Sequence, residues 1–119
     1  MVTLDQVATM ALALPETTEV PAWEGERTWR TRNKIFVMGS PESPSITVKT
    51  SAEEQTELIA ADPDTYAYAA YVGRFGWTRI QRSSVDADEL RELIIEAWRR
   101  TATKAVVRRY DAGHADDSA

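Results

Sequence analysis

Residues 28–49 read TWRTRNKIFVMGSPESPSITVK, and their alternation decides the fold class. In residues 28–32, Trp29 and Thr31 point to one face of a strand while Arg30 and Arg32 point to the other. Arg32-Asn33-Lys34 is a tight reversal, because Asn33 tolerates a left-handed backbone. Residues 35–38 form an apolar strand, and Gly39-Ser40-Pro41-Glu42-Ser43-Pro44 is a loop by composition. Residues 45–50 form the next strand, with Ile46 and Val48 on one face and Thr47 and Lys49 on the other. Connections this short cannot carry parallel crossovers, so the segment predicts an antiparallel meander. The strand region as a whole spans residues 17–50, with residues 23–26 read as a short strand ahead of the meander.

Helices flank the meander. Upstream, Thr3 and Gln6 fit a capping box, and Leu4, Val7, Ala8, Ala11 and Leu14 recur at helical spacing until Pro15 ends the run. Downstream, Ser51 and Glu54 start a second helix that turns Leu58 and Ile59 inward and Glu53, Glu54 and Glu57 to water, ending near Asp62-Pro63. An aromatic stretch, Tyr66, Tyr68 and Tyr71, leads into Gly73-Arg74-Phe75-Gly76 and a strand at residues 77–81. A third helix begins at Asp86, with a stripe of Leu90, Leu93, Ile94, Ala97, Trp98 and Thr101 and an i,i+4 pair, Glu96 and Arg100. From about Arg108 the composition is that of a disordered tail. The reading is therefore α+β: an N-terminal helix, an antiparallel β-sheet meander, a second helix, a further strand, and a C-terminal helix packed on the sheet. The domain spans residues 1–107 and the tail 108–119.

At 119 residues the chain suits one domain and one core. With 43% hydrophobic and 28% charged residues it falls in the globular class rather than the disordered one. The absence of cysteine excludes disulfides, thiolate zinc sites and cysteine nucleophiles. No apolar run is long enough to span a bilayer, and Asp5 is out of place in a signal peptide, so a cytoplasmic protein without membrane contact is expected. The net charge of −5 opposes indiscriminate nucleic-acid binding, but it is unevenly distributed. Residues 27–49 and 74–82 together hold 8 basic residues and 1 acidic one, leaving a net of −12 for the remainder.

The chain has no phosphate-binding or dinucleotide glycine motif. Its one histidine is His114, so a His-based acid–base mechanism lacks a base in the body of the domain. No catalytic residue, metal ligand or cofactor is expected. Asp111, His114, Asp116 and Asp117 could chelate only by ordering the tail, at a large entropic cost. Gly73-Arg74-Phe75-Gly76 invites comparison with the G-x-x-G loop of KH domains. That loop joins two helices, whereas this one enters a strand. It is better read as a glycine-permitted turn, although a basic, aromatic turn at a sheet edge could touch phosphate. Alternation also groups Arg30 with Arg32, Thr47 with Lys49, and Trp77 with Arg79 and Gln81. On one face these would set cations, which attract phosphate, beside a ring able to stack on an unpaired base. The plain alternative is that the cations only keep one side of the sheet wet while Trp77 caps the core edge.

Several strings together resemble the MmcQ/YjbR family over roughly residues 3–104. They are Ala11-Leu12-Ala13-Leu14-Pro15, Lys34-Ile35-Phe36, Ile46-Thr47-Val48-Lys49 with Ser51-Ala52-Glu53-Glu54, and Ala61-Asp62-Pro63-Asp64. Tyr71-Val72-Gly73-Arg74-Phe75-Gly76-Trp77 and Asp88-Glu89-Leu90 through Ala97-Trp98 complete the set. The resemblance implies an α+β fold similar to the CyaY/frataxin and secretion-chaperone-like folds, and a DNA-binding role in a double-wing arrangement. Two functions are expected to compete. One is a nucleic-acid-binding module using Arg30, Arg32, Lys34, Lys49, Arg74, Trp77 and Arg79; the other is a protein-interaction module without catalytic activity. A frataxin-like metal role would need acids clustered on the first helix, where Asp5 stands alone before Glu16.

Overall fold

The Thr3 hydroxyl accepts from the Gln6 amide at 3.1 Å, and the Gln6 side chain accepts from the Thr3 amide at 2.8 Å. Both halves of the capping box are thus closed, and the chain enters its first helix with these donors satisfied. The computed structural model describes residues 1–114. From the cap the chain runs through α1 (Leu4–Leu12), β1 (Thr17–Pro21), β2 (Arg27–Thr31), β3 (Lys34–Gly39), β4 (Ser45–Lys49) and α2 (Ala52–Ala61). It continues through β5 (Tyr66–Tyr68), β6 (Trp77–Gln81), α3 (Ala87–Thr101) and α4 (Lys104–His114). The strands form one sheet in the order β1-β2-β3-β4-β6-β5, and every neighbouring pair is antiparallel. The α+β architecture read from the sequence is the one observed.

One face of the sheet is covered. α1 packs against β1 and β2, α3 against β3 and β4, and α2 against β5 and β6. The core between these layers holds Trp29, Val48, Ile80, Leu90, Ile94 and Trp98, all fully buried. Every residue of the expected α3 stripe is buried. Gly39 lies beneath α1, where an added Cβ would come within 3.0 Å of Leu4.

The alternation is interrupted once. Trp29 faces Val37 but Arg30 faces Ile35, so Phe36 is an extra residue in β3. Two residues of β3 then oppose one of β2, and both of them, Phe36 and Val37, are fully buried. Strict alternation would have turned one of the two outward.

Four expectations are corrected. Arg32 does not continue its strand: Arg32 (φ 55°) and Asn33 (φ 59°) are both left-handed, which makes the two-residue hairpin turn that matches strand twist. Residues 23–26 are not a strand. Trp23–Gly25 is a short 3-10 turn with Glu24 and Gly25 at positive φ, and Trp23 is 90% exposed. Glu96 pairs with Arg99, while Arg100 reaches across to Glu54 of α2 at 3.3 Å.

Finally, the expected tail is helical as far as His114. The Thr103 hydroxyl accepts from the Val106 amide at 3.3 Å, Val106 is buried, and the Tyr110 ring lies 5.0 Å from that of Trp98. Residues 115–119, the remainder of that expectation, lie outside the described residues. Among the described residues, no helix is long and apolar enough to cross a membrane.

Candidate nucleic-acid interface

The strand register decides which side chains share the uncovered face. β4 and β6 set Thr47 opposite Arg79 and Lys49 opposite Trp77. Met38 faces Thr47, and Thr28 faces Met38. Residues directly opposed in a sheet lie on the same side, so Arg30, Lys49, Trp77 and Arg79 stand together on the face turned away from the helices. From β2 to β6 this row crosses three strand spacings, about 14 Å. The Lys49 ammonium sits 5.4 Å from the Trp77 ring centroid. Trp77 itself is half-buried rather than a core residue, and Arg79 is exposed. The Arg30 Nε donates to the Thr28 hydroxyl at 3.0 Å, which fixes the root of its guanidinium.

The other three predicted residues are not on that face. Arg32 lies in the hairpin turn. Lys34 opens β3 opposite the buried Thr31, so it belongs to the helix side of the pleat but reaches water at the strand end. Arg74 lies in a 3-10 turn, Gly73–Phe75, just ahead of β6. Topology nevertheless collects all three at one end of the sheet. β2 and β4 finish at that end, and β3 and β6 begin there.

Charge separates these cations from most of the rest. Arg27, Arg91, Arg99, Arg100 and Arg109 each hold a carboxylate within 4 Å. Arg82 donates to the carbonyls of Val2 and Ser43. Arg30, Arg32, Lys34, Lys49, Arg74 and Arg79 have no carboxylate partner among the described residues, and neither have Lys104 and Arg108, which lie apart on α4. The covered side is acidic, with Asp88, Glu89, Glu92 and Glu96 exposed on α3 and Glu53 and Glu57 on α2.

The turn ahead of β6 is built tightly. Gly76 has φ +94°, and a Cβ there would come within 2.5 Å of the Thr50 carbonyl oxygen. Gly73 lies directly under the Tyr68 ring, which leaves no room for a side chain. The buried Gln55 of α2 donates from Nε2 to the Gly73 carbonyl at 3.0 Å and to the Trp77 carbonyl at 2.7 Å. The two glycines therefore have the structural duty expected of them. The turn leaves three rings in water: Tyr68 is 57% exposed, Phe75 61% and Tyr71 95%. The sequence reading noted these rings without assigning them to the site. An aromatic triplet around two glycines before a strand was the available signal.

Little in this region suits catalysis. Among the described residues no cluster of three His, Cys, Asp or Glu side chains could hold a metal. A hollow of about 520 Å³ between Pro15, Glu16 and α4 is bridged by the Arg109–Glu16 ion pair at 3.6 Å.

The YjbR family model matches residues 12–100 of the chain. This protein belongs to the YjbR family. The YjbR match takes in all six strands and the six cations of the sheet face and its end, and it stops inside α3, so α4 is an addition to the matched region. Among solved structures the chain is similar to the crystal structure of Deinococcus radiodurans protein DR2400, whose domain is of the DUF419 type. The TM-score is 0.75 at 19% identity, covering 82% of this chain and 77% of that one. At that identity the likeness shows a shared fold. No curated protein matches the chain.

Proposed function

We propose that this YjbR-family chain is a non-catalytic, cytoplasmic DNA-binding module that meets the phosphate backbone with the uncovered face and adjoining end of its sheet. One observation carries the reading: six cations without a carboxylate partner are gathered in one region, while of the others five hold a carboxylate, Arg82 holds backbone carbonyls, and Lys104 and Arg108 stand apart on α4. Leaving like charges together costs free energy unless an anion neutralises them, and a polyphosphate does so with release of its counterions. Arg30, Lys49 and Arg79 lie along the sheet face, while Arg32, Lys34 and Arg74 extend the patch around its end. Six contacts at most set the scale. Binding is weak, with a dissociation constant of ~10⁻⁴–10⁻⁶ M, as for non-specific complexes, and steeply dependent on salt.

The test is fluorescence anisotropy with labelled DNA at low salt. Arg30→Glu, Arg32→Glu and Lys49→Glu combined should abolish binding while the melting temperature stays close to that of the parent, because all three side chains reach solvent. The slope of log K against log salt should be no steeper than about −4 for a single strand, given six phosphate contacts. No association of the parent protein at low salt would end this reading and leave a protein partner as the better account.

A further inference from the structure

We propose that residues 69–77 form a single-strand reader, in which unpaired bases of DNA stack on Tyr71 and Phe75 while Arg74 and Lys49 hold the flanking phosphates. This rests on the DNA-binding reading above and adds which form of DNA is preferred.

Three observations converge on this loop. First, Tyr71 is 95% exposed and has φ 63°. A left-handed backbone is costly for an aromatic residue, and glycine or asparagine would serve the turn better. With almost no contact to repay it, the ring has no packing role, and strain held at an exposed ring points to a role outside the fold. Second, Phe75 is 61% exposed beneath the Arg74 guanidinium, 4.8 Å from its ring centroid. Ring and cation are thus presented as a pair, the combination that single-strand binders use for a base and its phosphate.

Third, the loop is already ordered. The Gly73 amide donates to the Ala69 carbonyl at 2.9 Å, the Phe75 amide to Val72 at 2.9 Å, and the Gly76 amide to Gly73 at 3.0 Å. Gln55 pins both ends of the final turn from α2. Binding therefore need not pay to organise it.

A duplex cannot use these rings, because its bases are already stacked. Residues 69–77 hold no acid of their own, so Arg74 is left to pair with an anion of the ligand. The same nine residues carry no Ser, Thr, Asn, Asp, Gln or Glu side chain to read a ribose 2′-hydroxyl. That group is what distinguishes RNA from DNA, so the loop has no requirement for RNA, and DNA is the occupant assigned in keeping with the reading above.

The experiment compares a labelled oligothymidylate strand with a hairpin duplex of equal length, using the full chain and two variants. Tyr71→Ser with Phe75→Ser should weaken single-strand binding by about five-fold or more, as expected for the loss of base stacking, and leave duplex binding unchanged. Tyr71→Gly alone should weaken single-strand binding without lowering the melting temperature. That result separates a recognition role from a structural one. Parent protein that binds the duplex as well as the single strand, with neither affinity changed in the variants, would overturn this inference and leave the DNA-binding reading standing. Failure of the parent to bind either DNA overturns both. Tighter binding of oligouridylate than of oligothymidylate overturns the assignment to DNA.

Discussion

Trp98 ties three distant parts of the chain together. It is fully buried on α3, its Nε1 donates to the Pro15 carbonyl at 3.0 Å, and its ring meets Tyr110 of α4. Trp98→Ala should cost about 3–5 kcal/mol, as for other large-to-small core changes, and urea unfolding checks this. A loss below about 1 kcal/mol would contradict the burial. Glu19 makes a different kind of tie. Its carboxylate accepts from Arg27 at 2.9 Å and from the indole of Trp29 at 3.0 Å. The Arg27 hydrogen bond is the main reason its pKa lies below the ordinary value, against an opposing desolvation effect. A carboxylate with a depressed folded pKa adds stability that is full above the unfolded value of about 4.3 and is lost as pH falls through the folded one. Glu19→Gln should therefore be less stable than the parent at neutral pH, with the difference in melting temperature narrowing as the solution is acidified below the ordinary carboxylate range. A difference independent of pH would remove the carboxylate from the account. At this scale the sequence showed residue types but not registers. Arg30, Lys49 and Arg79 were legible because alternation fixed their face. Arg32 and Lys34 were not, because a two-residue turn takes Arg32 out of its strand and a bulge at Phe36 resets the count after Lys34.

Elements differed in legibility according to what holds them. α1 and α3 carry their own caps and apolar stripes, and α3 buried every residue assigned to its stripe. β1 was not delimited within the strand region that begins at residue 17, and β5 was missed, because little in either is local. β1 is an edge strand with Val20 as its one large apolar side chain, and β5 is three residues long, paired on one side by β6. α4 was misread because its small and acidic end masked a cap at Thr103 and apolar positions at Val106, Val107 and Tyr110, the spacing of one helical face. Ending the chain after Thr103 would uncover the Trp98 ring and remove Val106 from the core, along with the Arg99–Asp111 pair. We expect a loss of about 2–4 kcal/mol from the lost apolar burial, measured by denaturant unfolding, together with red-shifted tryptophan emission. An unchanged midpoint would mean that α4 contributes no stability.

The molecule measures 36 × 32 × 27 Å, and its charge is sorted by side. Acids crowd the helical layer, and six of the unpartnered cations lie on the bare face and one end of the sheet. A Debye length of about 8 Å at physiological salt is well short of the smallest dimension, so each side presents its own field. Composition showed the imbalance along the chain, but only the sheet's single covered face turned it into two opposed surfaces. This sorting has a consequence at the purification bench. A protein with a sequence pI of about 4.9 should flow through a sulfonated cation-exchange resin at neutral pH. This one should be retarded, because it can turn its sheet to the beads and its helices to the buffer, and a modest salt gradient should release it. The variant with Arg30, Arg32 and Lys49 changed to Glu should run through unretained, and parent protein that elutes with it in the void would show that the resin meets only the net charge.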